Sequence, residues 1–262
     1  MYALVAALIT LVPVAAYSAP QPPEPSERHT ATVADFDGDG ITDPSLVRPD
    51  GNWLILSTAC CGGFSWGHLA DVSADPVPAD YDGDLHTDVA TYTPSTARWQ
   101  VRHSHDQTAI DTVFGGPGDT PVPADYDGDG RAEIVVFAGG KWVLRDDSGH
   151  SSSASHGQDG DVPVPADYDG DGRADLAVYR AADRTWWILR SSDGGVNTVS
   201  LQESGDLVAP GDYNGDGRAD LAVYRPATQT WFVHGVGSIE QFGGAGDVPL
   251  TMAAMPVPVP RT

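Results

Sequence analysis

Five nine-residue segments hold the groups with which this sequence could do chemistry. They read DFDGDGITD (Asp35 to Asp43), DYDGDLHTD (Asp80 to Asp88), DYDGDGRAE (Asp125 to Glu133), DYDGDGRAD (Asp167 to Asp175) and DYNGDGRAD (Asp212 to Asp220). Side chains at the first, third and fifth positions can converge on one centre. The backbone carbonyl of the seventh position can join them, and the ninth carboxylate can close the shell. Hard oxygen donors in that number suit Ca²⁺, which takes six to eight of them in a flexible geometry, better than Mg²⁺. Glycines at the fourth and sixth positions let the chain wrap tightly around such a centre.

The candidate ligands are Asp35, Asp37, Asp39 and Asp43 in the first loop, Asp80, Asp82, Asp84 and Asp88 in the second, and Asp125, Asp127, Asp129 and Glu133 in the third. The fourth supplies Asp167, Asp169, Asp171, the carbonyl of Arg173 and Asp175, and the fifth Asp212, Asn214, Asp216 and Asp220. Up to five Ca²⁺ ions are expected. A solvated acidic turn, with Asp chosen for turn propensity, would explain one such loop but explains five in phase poorly. The copies are unequal. Asn214 keeps an oxygen ligand but loses a charge, Leu85 replaces a glycine, and Glu133 lengthens the reach of its carboxylate. The fourth and first loops are expected to bind most tightly, the second and fifth least.

The elements that must position these loops repeat with them. Successive loops begin 45, 45, 42 and 45 residues apart. A version of G-D-x-P-V-P-A precedes each loop, as in Gly118 to Ala124 and Gly160 to Ala166, and an apolar run follows, as in Leu176 to Tyr179. Next comes a run led by Trp53, Trp99, Trp142, Trp186 or Trp231. Val122 and Val164 mark a short strand whose alternate prolines suit an exposed sheet edge. Ala174 to Arg180 and Thr185 to Leu189 read as a hairpin, and Val196 to Leu201 as a fourth strand. Four strands with no room for a helix is the size of a propeller blade, so the expected fold is all-β, a β-propeller of four-stranded blades. A sixth opening, Gly246 to Leu250, runs into Ala253 where a loop should begin. That strand is expected to close a five-bladed ring against the first blade; a larger or incomplete ring is the alternative.

The loops, the lead-in Val162 to Asp167 and the exit Ala174 to Arg180 resemble the FG-GAP or VCBS-type repeats of bacterial secreted proteins, which are related to the calcium-binding blades of integrin α-chain propellers. The resemblance spans about Thr30 to Leu250. It implies a propeller with Ca²⁺ held between the first two strands of each blade. The Phe-Gly pair that names the repeat stands at Phe114-Gly115 and Phe242-Gly243, whereas Leu69-Ala70, His156-Gly157 and Leu201-Gln202 depart from it. Because relatives include adhesion proteins, lectin-like propellers and modules of secreted hydrolases, the resemblance implies a fold more firmly than a function.

The domain reading is a signal peptide at 1–18, a Pro-rich linker at 19–29, the propeller at 30–252 and a C-terminal tail at 253–262. Ala3 to Ala16 is almost wholly apolar but shorter than a membrane span, so a secreted, extracellular chain without a permanent membrane anchor is expected. The chain carries 37 acidic against 14 basic residues, a net charge of −23. That excludes a nucleic-acid partner, which needs clusters of Lys and Arg. The five loops hold 19 of the carboxylates. Without metal these charges repel, so folding and metal binding should be coupled.

No nucleophile signature such as G-x-S-x-G is present, and nearly every clustered carboxylate is assigned to metal. The expectation is therefore a binding or adhesion module for a glycan or an extracellular protein. A polysaccharide-active hydrolase or lyase and a purely structural protein are the alternatives. His103 and His105 could face one way from a strand as a metal pair, but spare polar residues on a surface strand account for them better. The five repeated tryptophans are expected to pack between blades, and Arg48, Arg180 and Arg225 to pair with acidic neighbours. Phe64 and Trp66, in the irregular stretch Thr58 to Gly67, make a candidate recognition loop. The adjacent Cys60 and Cys61 could form a strained vicinal disulfide, pair between chains, or stay as thiols.

Overall fold

The computed structural model describes residues 34–48, 51–58, 64–66, 74–146, 148–200, 205–239, 242–244 and 246–250. The signal peptide, linker and C-terminal tail read from the sequence lie outside these residues, as do Cys60 and Cys61.

Among the described residues, twenty short strands form five four-stranded antiparallel sheets, the blades of a five-bladed β-propeller. The first blade contains β1 (Ser45–Val47), β2 (Trp53–Ile55) and β3 (Phe64–Trp66). The second is β4 (Asp75–Pro76), β5 (Val89–Thr93), β6 (Arg98–Arg102) and β7 (Ala109–Val113). The third is β8 (Thr120–Pro121), β9 (Ile134–Ala138), β10 (Lys141–Arg145) and β11 (Ser151–Ser155). The fourth is β12 (Val162–Pro163), β13 (Leu176–Arg180), β14 (Thr185–Leu189) and β15 (Val196–Ser200). The fifth is β16 (Leu207–Val208), β17 (Ala222–Arg225), β18 (Thr230–Val233) and β19 (Gly237–Ile239). The last strand, β20 (Val248–Pro249), returns to pair with β1, Leu46 opposite Pro249 and Val47 opposite Val248. The ring closes as the abandoned sixth unit implied.

At the closure the role of one strand is shared by two distant parts of the chain. Leu250 N–H donates to Ser45 O at 2.8 Å, while Asp43 N–H donates to Ala34 O at 2.9 Å. In the second blade Val77 and Ala79 make the equivalent bonds from a single segment.

Two sequence readings need correction. The proline-bearing strand is an edge of its sheet, but it is not exposed: Val122 and Val164 are fully buried. Their side chains join core clusters that include Val178 and Val208 of the next blades, while proline removes a donor where no further strand is added. The stretch Thr58 to Gly67 is not irregular throughout, because Phe64–Trp66 pairs with β2 as the fourth strand of its blade.

Trp53, Trp99, Trp142, Trp186 and Trp231 are almost completely inaccessible. They pack between blades as expected: Trp99 lies against Ala132 and Val136 of the next blade, and Trp142 against Val178. An apolar ring of that size in every groove gives each blade a second buried face, which a lone four-stranded sheet lacks. Two of the three arginines pair in the way their spacing suggested. Arg180 makes two bonds of 2.8 Å to Asp161, and Arg225 bonds of 2.7 and 2.8 Å to Asp206. Each guanidinium also lies over an aromatic ring, Trp187 at 5.0 Å and Phe232 at 4.5 Å.

Candidate metal centres

Each acidic loop leads into the second strand of its blade, in the second to fifth blades from the first strand, and its first carboxylate shapes it. Asp167 accepts N–H bonds from Gly170 at 2.6 Å and Gly172 at 2.9 Å, one on each oxygen. Asp35, Asp80, Asp125 and Asp212 do the same for their own fourth and sixth positions. The backbone must curl to aim these donors inward. Gly170 and Gly172 adopt φ of 77° and 90°, and in the second loop Leu85 is held at 69°, a conformation a branched-chain residue rarely takes.

The ninth carboxylate pins the other end. Asp43, Asp88, Glu133, Asp175 and Asp220 each accept the N–H of the second-position residue of their loop. That residue is aromatic and ties the loop to the core. Tyr168 donates its hydroxyl to Val164 O at 2.7 Å and stands edge-on to Trp186 at 6.3 Å. The five loops are also joined to one another. Thr87, Ala132, Ala174, Ala219 and Thr42 each donate an N–H, at 2.6–2.7 Å, to the first-position carbonyl of the loop before, closing a ring. Arg173 lies across Gly128 of the preceding loop, with Cγ about 3.0 Å from where a side chain there would begin.

Four of the five loops gather acidic oxygens within 4.8 Å of one another. The third brings all its predicted carboxylates together, Asp125, Asp127, Asp129 and Glu133. The first brings Asp35, Asp37 and Asp39, the second Asp80, Asp82 and Asp88, and the fourth Asp167, Asp169 and Asp175. Asp43, Asp84 and Asp171 belong to the same loops but fall outside these convergent sets. In the fifth loop the Asn214 amide donates to both oxygens of Asp220, at 3.0 and 3.2 Å.

Burial sets the electrostatics. Desolvation raises the Asp35 carboxyl to about 7, those of Asp43, Asp80 and Asp175 to about 6, and that of Glu133 to about 8, against the opposing pull of the backbone donors. Neighbouring loop carboxylates push the same way. A buried, mutually repelling set of carboxyls is one that a divalent cation would relieve. The fourth loop fits such an ion on a further count: the buried Asp169 Oδ1 has no hydrogen-bond partner. The all-oxygen donor set suits a hard divalent cation, and Asp167, Asp169 and Asp175 would hold it there.

Sequence reading missed a second set of residues. A hydroxyl residue from the hairpin after the loop reaches back to it. Thr58 Oγ1 donates to Asp39, Ser104 Oγ to Asp84 and Ser191 Oγ to Asp171, at 2.9–3.1 Å. Their backbone N–H groups bond Asp43, Asp88 and Asp175. The available signal was a Thr or Ser at 15 or 16 residues beyond the ninth carboxylate. His103 and His105 both fall beyond β6 rather than facing one way from it. His103 instead brings Nδ1 to 3.5 Å from Asp82 Oδ2 and 2.8 Å from Thr108 Oγ1.

Residues 167–223, from the fourth loop to the middle of the fifth blade's second strand, match the FG-GAP-like repeat family. No curated protein sequence matches the chain. Among solved structures it is similar to virginiamycin B lyase from Staphylococcus aureus, at 10% identity over 82% of this chain and 74% of the other, with a TM-score of 0.43. It is also similar to BBS1N in complex with ARL6DN, at 13% identity over 82% and 76%, with a TM-score of 0.41. The chain thus carries FG-GAP-like repeat sequence on a five-bladed propeller, with acidic clusters able to coordinate metal.

Proposed function

We propose that this chain is a secreted, calcium-binding β-propeller that serves as a binding or adhesion module, with a glycan or an extracellular protein as its ligand. The observation that carries the reading is the convergence of four carboxylates, Asp125, Asp127, Asp129 and Glu133, within 4.8 Å in one loop, echoed in three others. Their acidic oxygens lie close enough to share one centre, and the burial of Asp125 and Glu133 makes those two unneutralised charges costly. Kinship with the calcium-binding blades of integrin α-chains and with secreted bacterial repeats belongs to the same proposal.

Chelation tests it. Removing Ca²⁺ should lower the melting temperature by on the order of 10 °C or more, because each site saturated at a hundredfold excess contributes about 2.7 kcal/mol. Re-adding the ion should restore the melt, and calorimetry should count several equivalents. A melt unchanged by chelation, with no calcium uptake, would overturn the metal assignment. A glycan and cell-wall polysaccharide array, run with and without calcium, then separates the ligand classes: retention on a sugar favours a lectin, and silence with capture by an extracellular protein favours adhesion.

A further inference from the structure

In the first and second blades, the hairpin residue just before the hydroxyl that reaches the acidic loop is turned toward that loop's third carboxylate. In the first blade it is Ser57, whose hydroxyl donates to Asp37. In the second it is His103, with Nδ1 3.5 Å from Asp82 Oδ2. In the fourth blade Arg190 stands at that place and is engaged by Asp193 and Asn197. The His103 side chain is only 15% exposed and that of Asp82 only 16%, so this imidazole is not a spare polar group on the surface.

Asp106, from the same hairpin, brings Oδ1 to 4.0 Å from His103 Nδ1. Asp82, His103 and Asp106 each offer one ligand atom, and all three atoms lie within 4.8 Å of one another. Neither gap to the imidazole is a hydrogen bond, which spans about 2.7–3.2 Å. Two ligands held about 2.1 Å from one tetrahedral ion stand about 3.4 Å apart. Asp82 and His103 are therefore already at the spacing of two ligands on a common ion. Asp106, whose side chain is 52% exposed, has to move by only about half an ångström to join them. The hairpin is fastened in place: Ser104 donates its N–H to Asp88 Oδ1 at 2.6 Å and its hydroxyl to Asp84 at 3.1 Å, and His103 N–H donates to Thr108 O at 2.9 Å. His103 Nε2 is enclosed and has no hydrogen-bond partner among the described residues, which leaves Nδ1 as the ring atom open to a ligand.

We infer that Asp82, His103 and Asp106 form a zinc site at the edge of the second acidic loop. An imidazole nitrogen is not a donor that Ca²⁺ uses, since that ion takes oxygen. Zn²⁺ takes histidine nitrogen at about 2.0–2.1 Å and carboxylate oxygen at about 2.0–2.2 Å together. Three protein ligands leave the fourth position of the tetrahedron to water, on the side of the exposed Asp106. Thr108 Oγ1, 2.8 Å from Nδ1, yields that contact to the ion. Asp82 is shared with the convergent set Asp80, Asp82 and Asp88; its Oδ1 accepts the Asp84 N–H at 3.2 Å while Oδ2 faces His103. The zinc site differs from the acidic loops in its nitrogen donor and stands without the calcium reading.

The test is a calorimetric titration of Zn²⁺ into the full chain in excess calcium, with ¹H–¹⁵N spectra of ¹⁵N-histidine-labelled chain as a second readout. One equivalent should bind through this site, with His103 Nδ1 moving to a metal-bound position. His103→Gln and Asp106→Asn should each weaken that uptake about tenfold or more, a loss of about 1.4 kcal/mol or more. Asp106→Asn keeps an acceptor for the Thr108 N–H, which Asp106 now holds at 2.9 Å, so the turn should survive it. His105→Gln, outside the cluster, should leave uptake unchanged. Uptake that persists in both site variants would mean an adventitious ion only and would overturn the proposal. So would a His103 ring unmoved by zinc, an equal loss in His105→Gln, or displacement of the zinc by further calcium, which would mean that it merely fills the acidic loops.

Discussion

The fourth and fifth loops share eight of nine letters' chemistry and part company at the third. Both curl around their first carboxylate with nearly the same bonds: Asp167 and Asp212 each accept N–H groups from the fourth and sixth positions at 2.6–2.9 Å. The fourth then draws Asp167, Asp169 and Asp175 together and closes the loop with the Ser191 hydroxyl, 2.9 Å from Asp171 and 3.0 Å from Asp175. In the fifth, Asn214 turns its amide onto Asp220, so a neutral donor does the work of a cation. Val236, which stands at the place of Ser191 in the repeat, brings no hydroxyl. Loop shape is therefore set by the first position and the glycines. What differs is whether the acidic oxygens converge, which goes with the third position, and whether a hydroxyl from the following hairpin reaches them.

The largest test of that contrast is pH. In the metal-free folded chain, buried carboxyls of the first four loops hold protons up to about 6 to 8, above their ordinary range near about 4 in an unfolded chain. The folded state thus binds more protons through this window, and its stability falls as pH rises from about 4 to about 8. Thermal melts in chelator should show that decline. Calcium should offset it increasingly with pH, because binding displaces those protons. A metal-free melting temperature that rises across the window would break the argument.

A reciprocal exchange sharpens the comparison at one position. Asp169→Asn should weaken the fourth site and Asn214→Asp strengthen the fifth, each by about tenfold in affinity if one ligand charge changes the binding free energy by about 1.4 kcal/mol. Calorimetric titration of both variants checks it; equal affinities before and after the exchange would mean that the third position does not distinguish the loops.

The smallest effect concerns the hydroxyl. Ser191→Gly should cost about 1 kcal/mol, a fall of about 2–4 °C in melting temperature, since it leaves Asp171 and Asp175 without that donor. Val236→Ser should give the fifth loop a partial gain. If Ser191→Gly leaves both melt and calcium affinity untouched, the hairpin hydroxyl plays no part in the site.

The blades were legible in the sequence because their signals are local. The 42- and 45-residue spacing, the recurrent tryptophan and the abandoned opening at Gly246 to Leu250 foretell five sheets and a closing strand. The curl of the acidic loops was legible too, because a nine-residue phrase with glycines at fixed positions determines its own backbone path. Tertiary structure alone decided the rest. That the proline-bearing edge is buried follows from how blades stack around an axis, which no single repeat encodes. The hydroxyls of Thr58, Ser104 and Ser191 reach their carboxylates only after a hairpin folds back, 15 or 16 residues from the ninth position. The closed ring of backbone bonds from Thr42 through Ala219 exists only between loops of different blades. Short-range chemistry fixes what each repeat can become; contacts between repeats determine which groups are left with something to bind.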